Sequence, residues 1–180
     1  GKTATTFDPN CFVKRAHVAA LTQRGMEVKD KVANYEVAYD FLQKQYIDTT
    51  NNYKVWEKKI LDLVNEERKK AGAQPVLQDV QLTQMAIIKA KDLVKRNYFE
   101  HYSPFYGDPW DLATLFDYEY TSYGENLARN FKSPETTVEA WMASPKHREN
   151  LLKPSYTYMG IGIEYVKNGK YYVVQHFSSK

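Results

Sequence analysis

Cysteine is nearly missing from this chain. Cys11 is the one such residue in 180, so no internal disulfide framework can form. Secreted proteins need not carry disulfides, and the redox compartment therefore stays open. Cys11 follows Asp8-Pro9-Asn10, without the small and apolar residues that precede a lipidated cysteine, and reads as a tolerated free thiol. Long hydrophobic runs are also absent: none approaches the roughly 18 residues needed to span a bilayer. The start, Gly1-Lys2-Thr3-Ala4, resembles no signal peptide. Charge of one sign is scarce too. With 25 basic against 22 acidic residues the net charge is +3, too small to argue for nucleic acid or an anionic membrane as partner. There is no internal repeat and no low-complexity tract.

What is plentiful is tyrosine, 15 residues beside 8 phenylalanines and 3 tryptophans, for an aromatic share of 14%. A buried tyrosine needs a partner for its hydroxyl, so such residues favour places where an apolar body meets a polar cleft or surface. Hydrophobic residues at 43% and charged residues at 26% describe an ordinary globular chain.

The first fifty residues differ from the rest. From Val13 to Gln45 there is no proline, and Val28, Val32, Tyr35, Tyr39 and Leu42 recur at helical intervals, with Gly25 dividing two predicted helices. Asp48-Thr49-Thr50-Asn51-Asn52 reads as a linker. Beyond it, Trp56, Ile60, Leu63 and Val64 predict a helix that Gly72 caps. Leu82, Met85, Ala86, Lys89, Ala90 and Leu93 predict a second, with Asp79 near its start. Asp108-Pro109, Ser133-Pro134 and Ser144-Pro145 each pair an N-cap residue with proline at the first helical position, predicting three further helices. The period then changes. Met159–Val166 and Tyr171–Phe177 are β-branched and aromatic, and Asn168-Gly169 between them signals a hairpin. Helices around antiparallel strands make the class α+β.

Four histidines can be weighed singly. His17 reads as a solvated surface residue, and His176, in Val174-Gln175-His176-Phe177, as a structural or edge-strand histidine. His101 and His147 lie in denser company, Phe99-Glu100-His101-Tyr102-Ser103-Pro104 and Ser144-Pro145-Lys146-His147-Arg148-Glu149-Asn150. Between them stands Tyr123-Gly124-Glu125-Asn126-Leu127-Ala128. Two imidazoles and a carboxylate can hold Zn²⁺ or act as an acid/base set. The histidines are 46 residues apart with no HExxH signature, so spacing alone selects neither. Tyr102, Tyr106 and Trp110 are candidates for an aromatic rim.

The ordered set His-Tyr-Ser-Pro, Gly-Glu-Asn-Leu-Ala, Trp-Met-Ala-Ser with His-Arg-Glu-Asn-Leu-Leu, and Met-Gly-Ile-Gly before a final hairpin resembles the CAP superfamily. That group is named for cysteine-rich secretory, antigen 5 and pathogenesis-related proteins, and is also called the SCP domain. Leu61-Asp62-Leu63-Val64-Asn65-Glu66-Glu67-Arg68 looks like the family's first helix, and the variant looks bacterial. The resemblance implies a CAP/SCP domain over residues 53–180, a three-layer α-β-α sandwich with a central cleft; residues 1–52, which it does not explain, remain the helical N-terminal extension and linker read from the periodicity above. In the family the cleft commonly holds two histidines and two acids reported to bind divalent metals. Carried over, His101, Glu125 and His147 become candidate ligands for Zn²⁺ or another divalent cation, while Ser144 occupies the place of the second glutamate. Ser103, Tyr123, Asn126 and Ser144 are the candidate ligand-binding cleft residues.

The resemblance further implies an extracellular or cell-surface location and a small ligand, a lipid or similar, as partner. A metal-dependent hydrolase acting on peptide or cell-wall material, with Glu125 as general base, is the alternative. A third reading is a host- or protein-partner module using the N-terminal helices. Binding is favoured over catalysis, because Cys11 lies in the wrong segment and no serine sits in a Gly-x-Ser-x-Gly elbow.

Overall fold

Caps written into the sequence place most helix starts in the computed structural model, which describes residues 53–180. The two helices predicted around Gly25, the linker, Cys11 and His17 lie outside the described residues. Helix α1 (Tyr53–Lys70) buries Ile60, Val64 and Arg68, and the chain leaves it through Gly72 at φ +76°. Such a left-handed residue after the last turn favours glycine. A two-residue strand, β1 (Leu77–Gln78), leads into α2 (Val80–Lys95), where Asp79 accepts the Leu82 N–H at 2.9 Å. Helix α3 (Pro109–Leu115) follows Asp108, and strand β2 (Ser122–Phe131) comes next. Ser133 opens α4 (Pro134–Ala143) by accepting the Thr136 N–H at 3.2 Å. Ser144 alone separates α4 from α5 (Pro145–Leu152), and its side chain makes no cap hydrogen bond. Strands β3 (Tyr158–Lys167) and β4 (Lys170–Ser179) close the chain, joined by Asn168 and Gly169 at φ +53° and +67°. Two positive φ values are what a type I′ hairpin turn requires.

The sheet runs β1-β3-β4-β2, with β1 parallel to β3 and the other pairs antiparallel. Strand β4 is therefore flanked on both sides, so His176 is not an edge-strand residue. Helices α1, α4 and α5 cover one face of the sheet, and α2 with α3 covers the other. This is the α-β-α sandwich of the sequence reading.

Strand β3 shows how the layers are set. Met159, Ile161 and Ile163 alternate toward α1 and pack with Ile60, Val64, Val138 and Trp141. Fully burying a side chain of this size stabilises by roughly 1.5–3 kcal/mol. The intervening Gly160 and Gly162 face α2. A Cβ at Gly160 would lie 2.2 Å from the Leu82 carbonyl carbon, and one at Gly162 would lie 2.1 Å from the Ala86 carbonyl oxygen. Glycine here lets helix backbone rest on strand backbone. On the first face, fully buried Arg68 donates to the carbonyls of Gln74, Leu151, Lys153 and Tyr156 at 2.8–3.0 Å, tying α1 to the C-terminal end of α5.

Candidate functional site

Residue alternation along β2 sends Glu125 and Tyr123 toward α2 and α3, and Asn126 toward α1 and α5. Glu125 is 7% exposed and stands opposite His176 in the β2–β4 ladder. His176 Nε2 donates to Glu125 Oε2 at 2.9 Å, and His101 Nδ1 donates to Glu125 Oε1 at 2.8 Å. The Tyr123 hydroxyl completes the chain, 2.8 Å from His176 Nδ1. An ionised carboxylate only accepts, so in the neutral His176 ring Nε2 carries the proton and Nδ1 accepts from Tyr123. His176 is fully buried, whereas the His101 side chain is 57% exposed. One carboxylate thus links a buried imidazole to a solvent-facing one.

Burial by itself would raise the Glu125 pKa. The hydrogen bonds from His101 and His176, with the charge of Lys89, outweigh burial and hold the carboxyl below its ordinary value. Burial pushes the Tyr123 hydroxyl well up, which keeps it a donor. His147, half-buried on α5, has its pKa lowered first by burial and then by the charge of His101, which keeps the ring neutral at neutral pH.

The segment that carries His101 is fastened from α2. Lys89, 2% exposed, donates through Nζ to the carbonyls of His101 at 2.7 Å and Glu100 at 2.9 Å. One turn on, Asp92 accepts from Ser103 Oγ and from Arg96 Nε, each at 2.7 Å, and also from the Tyr98 hydroxyl. Ser103 Oγ in turn accepts the N–H groups of Phe105 and Tyr106, and its backbone pairs with Gly107. Lys89 and Asp92 sit three residues apart on the helix, so one face holds the loop at two points.

His101, Asp108, Pro109, Trp110, Tyr123, Gly124 and Glu125 line a cavity of about 280 Å³. Of the cleft residues named from the sequence, Tyr123 lines it. Ser103 is 1% exposed and buried in the Asp92 network. Asn126 is fully buried on the far face of β2, where it donates to Gln175 Oε1 at 3.0 Å and to the His147 carbonyl at 3.1 Å. Ser144 is the half-buried junction between α4 and α5. Asn150 supports the wall from behind, donating to the Glu125 carbonyl at 3.2 Å and to Asn126 Oδ1 at 3.1 Å. Among the rim candidates, Trp110 and Tyr102 are exposed at 52% and 57%, while Tyr106 is buried.

Sequence reasoning missed His176 as a site residue and read Asp108 only as a cap. It also read Lys89 only as part of a helical pattern. The signal available for Lys89 was a charged residue standing in an otherwise apolar period.

The CAP family model, described as the cysteine-rich secretory protein family, matches residues 61–177. The chain belongs to this family. Within the CAP family, it is 42% identical over 120 residues to the protein YkwD of Bacillus subtilis, covering 67% of this chain and 46% of YkwD. The membrane protein YlbC of Bacillus subtilis is 32% identical over 158 residues, covering 88% of this chain and 42% of YlbC. The chain spans less than half the length of these curated relatives. Among solved structures, an extracellular SCP-domain protein of Bacillus anthracis superposes with a TM-score of 0.64 at 30% identity, over 71% of this chain and 41% of that one. An outer surface protein of Borrelia burgdorferi shares the fold, with a TM-score of 0.64 at 22% identity over 74% and 96% of the two chains. This is a CAP domain of the bacterial kind.

The CAP family implies a divalent metal in the cleft. Among the described residues no group of three or more His, Cys, Asp or Glu side chains is placed to hold a metal ion. His101 turns its protonated Nδ1 to Glu125, and a protonated ring nitrogen is no metal ligand, so His101, Glu125 and His147 as arranged do not form a three-residue cage. Among the same residues, no helix is long and apolar enough to cross a membrane.

Proposed function

We propose that this CAP domain is a binding module that works outside the cytoplasm and takes a compact ligand at the His101 cavity. One observation carries the reading: a buried, ionised Glu125 stands behind an exposed His101 in the wall of a concavity. Small-molecule sites are usually concave, mostly apolar and furnished with a few fixed polar groups. Pro109, Trp110 and Tyr123 supply the apolar part, and His101, Asp108 and Glu125 the polar part. At about 280 Å³ the cavity lies just below the roughly 300–1,000 Å³ typical of ligand sites. That volume favours a ring or a head group over a whole acyl chain or sterol. The extracellular reading is supported by the Bacillus anthracis relative, which is described as extracellular.

The test is a two-dimensional NMR titration of the ¹⁵N-labelled protein with a short-chain phospholipid, a fatty acid and neutral oligosaccharides. Saturable shifts centred on His101, Tyr123 and Gly124 are expected from one of these classes. Shifts from none of them, or shifts centred elsewhere, would remove the reading.

A hydrolytic role is the second reading, favoured by the His101–Glu125 pair itself. A carboxylate bonded to one ring nitrogen fixes the imidazole and leaves the other nitrogen to take and return a proton. In that scheme His101 is the base and Glu125 orients it. Turnover of peptide or cell-wall material falling at least ~100-fold in His101→Ala, with ligand binding retained, would support it. The protein-partner reading rests on residues 1–52, outside the described part of the chain.

A further inference from the structure

We infer that the ligand of this cavity is a neutral saccharide, one pyranose ring of which lies flat on the indole of Trp110. The inference rests on the binding reading above and specifies its ligand class. Trp110 lies at the N-terminal end of α3, and the helix turns Pro109, Leu112, Ala113 and Leu115 into the protein. Trp110 is left 52% exposed although it lines the cavity. Among the described residues it stacks on no other ring, and its indole N–H has no hydrogen-bond partner. The other large apolar side chains that stay exposed among the described residues are Val55, Leu77, Val80, Tyr102 and Tyr165, and none of them lines this cavity.

An exposed aromatic plate beside fixed polar groups selects by shape and by charge together. The carbon-bound hydrogens of a pyranose ring are weakly positive and match the negative face of an indole. Its hydroxyls radiate in the ring plane, where each can donate and accept. The cavity lining carries acceptors at Asp108 and Glu125, and an exposed imidazole at His101. Glu125 already accepts one hydrogen bond on each oxygen, and a carboxylate has about four acceptor sites, so it can receive a hydroxyl as well. Two carboxylates in one small cavity disfavour an anionic group such as a fatty-acid head or a phosphate. An acyl chain would leave these acceptors desolvated and unpaired, at a cost of about 1–3 kcal/mol for each group. A quaternary ammonium could use the ring and the charges, but it has no N–H to donate to the acceptors that a hydroxyl would satisfy.

The full chain would be titrated with triacetylchitotriose and cellotriose, and in parallel with lauric acid and choline, following tryptophan fluorescence and NMR shifts. Saturable binding of at least one trisaccharide is expected, weakened about tenfold or more in Trp110→Ala and largely kept in Trp110→Phe. Trp110 is half-exposed, so both variants should melt like the wild type, and circular dichroism checks this. Binding of lauric acid or choline without either trisaccharide would overturn the saccharide assignment and leave the binding module standing. No binding by any probe would overturn both. Trisaccharide binding unaffected by Trp110→Ala would overturn the stacking geometry and with it the inference.

Discussion

His176 and Glu125 face each other across the β2–β4 ladder, and the hydrogen bond between them, 2.9 Å long, is made inside the protein. It crosses 51 residues of sequence and joins the exposed end of the site to the core. The rest of the arrangement depends on it, because Glu125 is buried and ionised and needs donors on both oxygens.

Removing that donor should therefore be costly. His176→Ala leaves one Glu125 oxygen without its internal partner and opens a cavity beside Tyr123, so a loss of about 1–3 kcal/mol or more is expected in urea denaturation. Tyr123→Phe removes only the last hydrogen bond of the chain, to His176 Nδ1, and should cost about 1 kcal/mol. Equal effects from the two substitutions would show that the chain of contacts does not act in this order.

Acid should unfold the protein partly through Glu125. Its folded pKa lies below the ordinary value, so the folded state binds fewer protons there than the unfolded state. The stabilisation is complete above the ordinary glutamate range near pH 4–5 and is lost as pH falls through it to the folded pKa. Denaturation midpoints measured from pH 7 down to pH 3 should fall more steeply in the wild type than in Glu125→Gln. Parallel curves would contradict the assignment.

Lys89 is expected to hold the His101 segment in place. Lys89→Met keeps the apolar stem but strips the Glu100 and His101 carbonyls of their donor. Hydrogen exchange should quicken over residues 98–106 while β3 and β4 keep their protection. Unchanged exchange in that segment would mean that Asp92 and Ser103 alone fix it.

Two glycines should fail for opposite reasons. Gly162→Ala places a Cβ against the Ala86 carbonyl, and backbone cannot yield as a side chain can, so a loss of about 1–3 kcal/mol or more is expected. Gly72→Ala meets nothing within 4 Å but sits at φ +76°, and should cost only about 1 kcal/mol. Thermal melts that reversed this ranking would argue against close backbone contact between α2 and β3.

Helix starts were legible because their causes are local: Asp108-Pro109, Ser133-Pro134 and Asp79 act within one turn. The closing hairpin was legible for the same reason, since Asn168-Gly169 sets its own turn. Strand β2 was not. Ser-Tyr-Gly-Glu-Asn-Leu-Ala-Arg-Asn-Phe has no clean apolar alternation, because both its faces are buried around polar contacts at Glu125 and Asn126. Family likeness names His101 and Glu125 for one cleft, and the two side chains stand 2.8 Å apart. It was silent on His176, whose role depends on strand register and not on local pattern. Asn126 follows Glu125 directly, and adjacent residues in a strand point to opposite faces, which puts it behind the cleft wall.

The backbone contact between α2 and β3 has a kinetic consequence. That helix holds the His101 segment through Lys89 and Asp92, and β3 abuts β4, which pairs with β2 and its Tyr123–Glu125 wall, so these two walls of the cavity belong to one stiff frame. A ligand arriving there meets walls already in place. Association should then be a single step, with a rate that rises linearly with ligand concentration and shows no plateau from a preceding rearrangement.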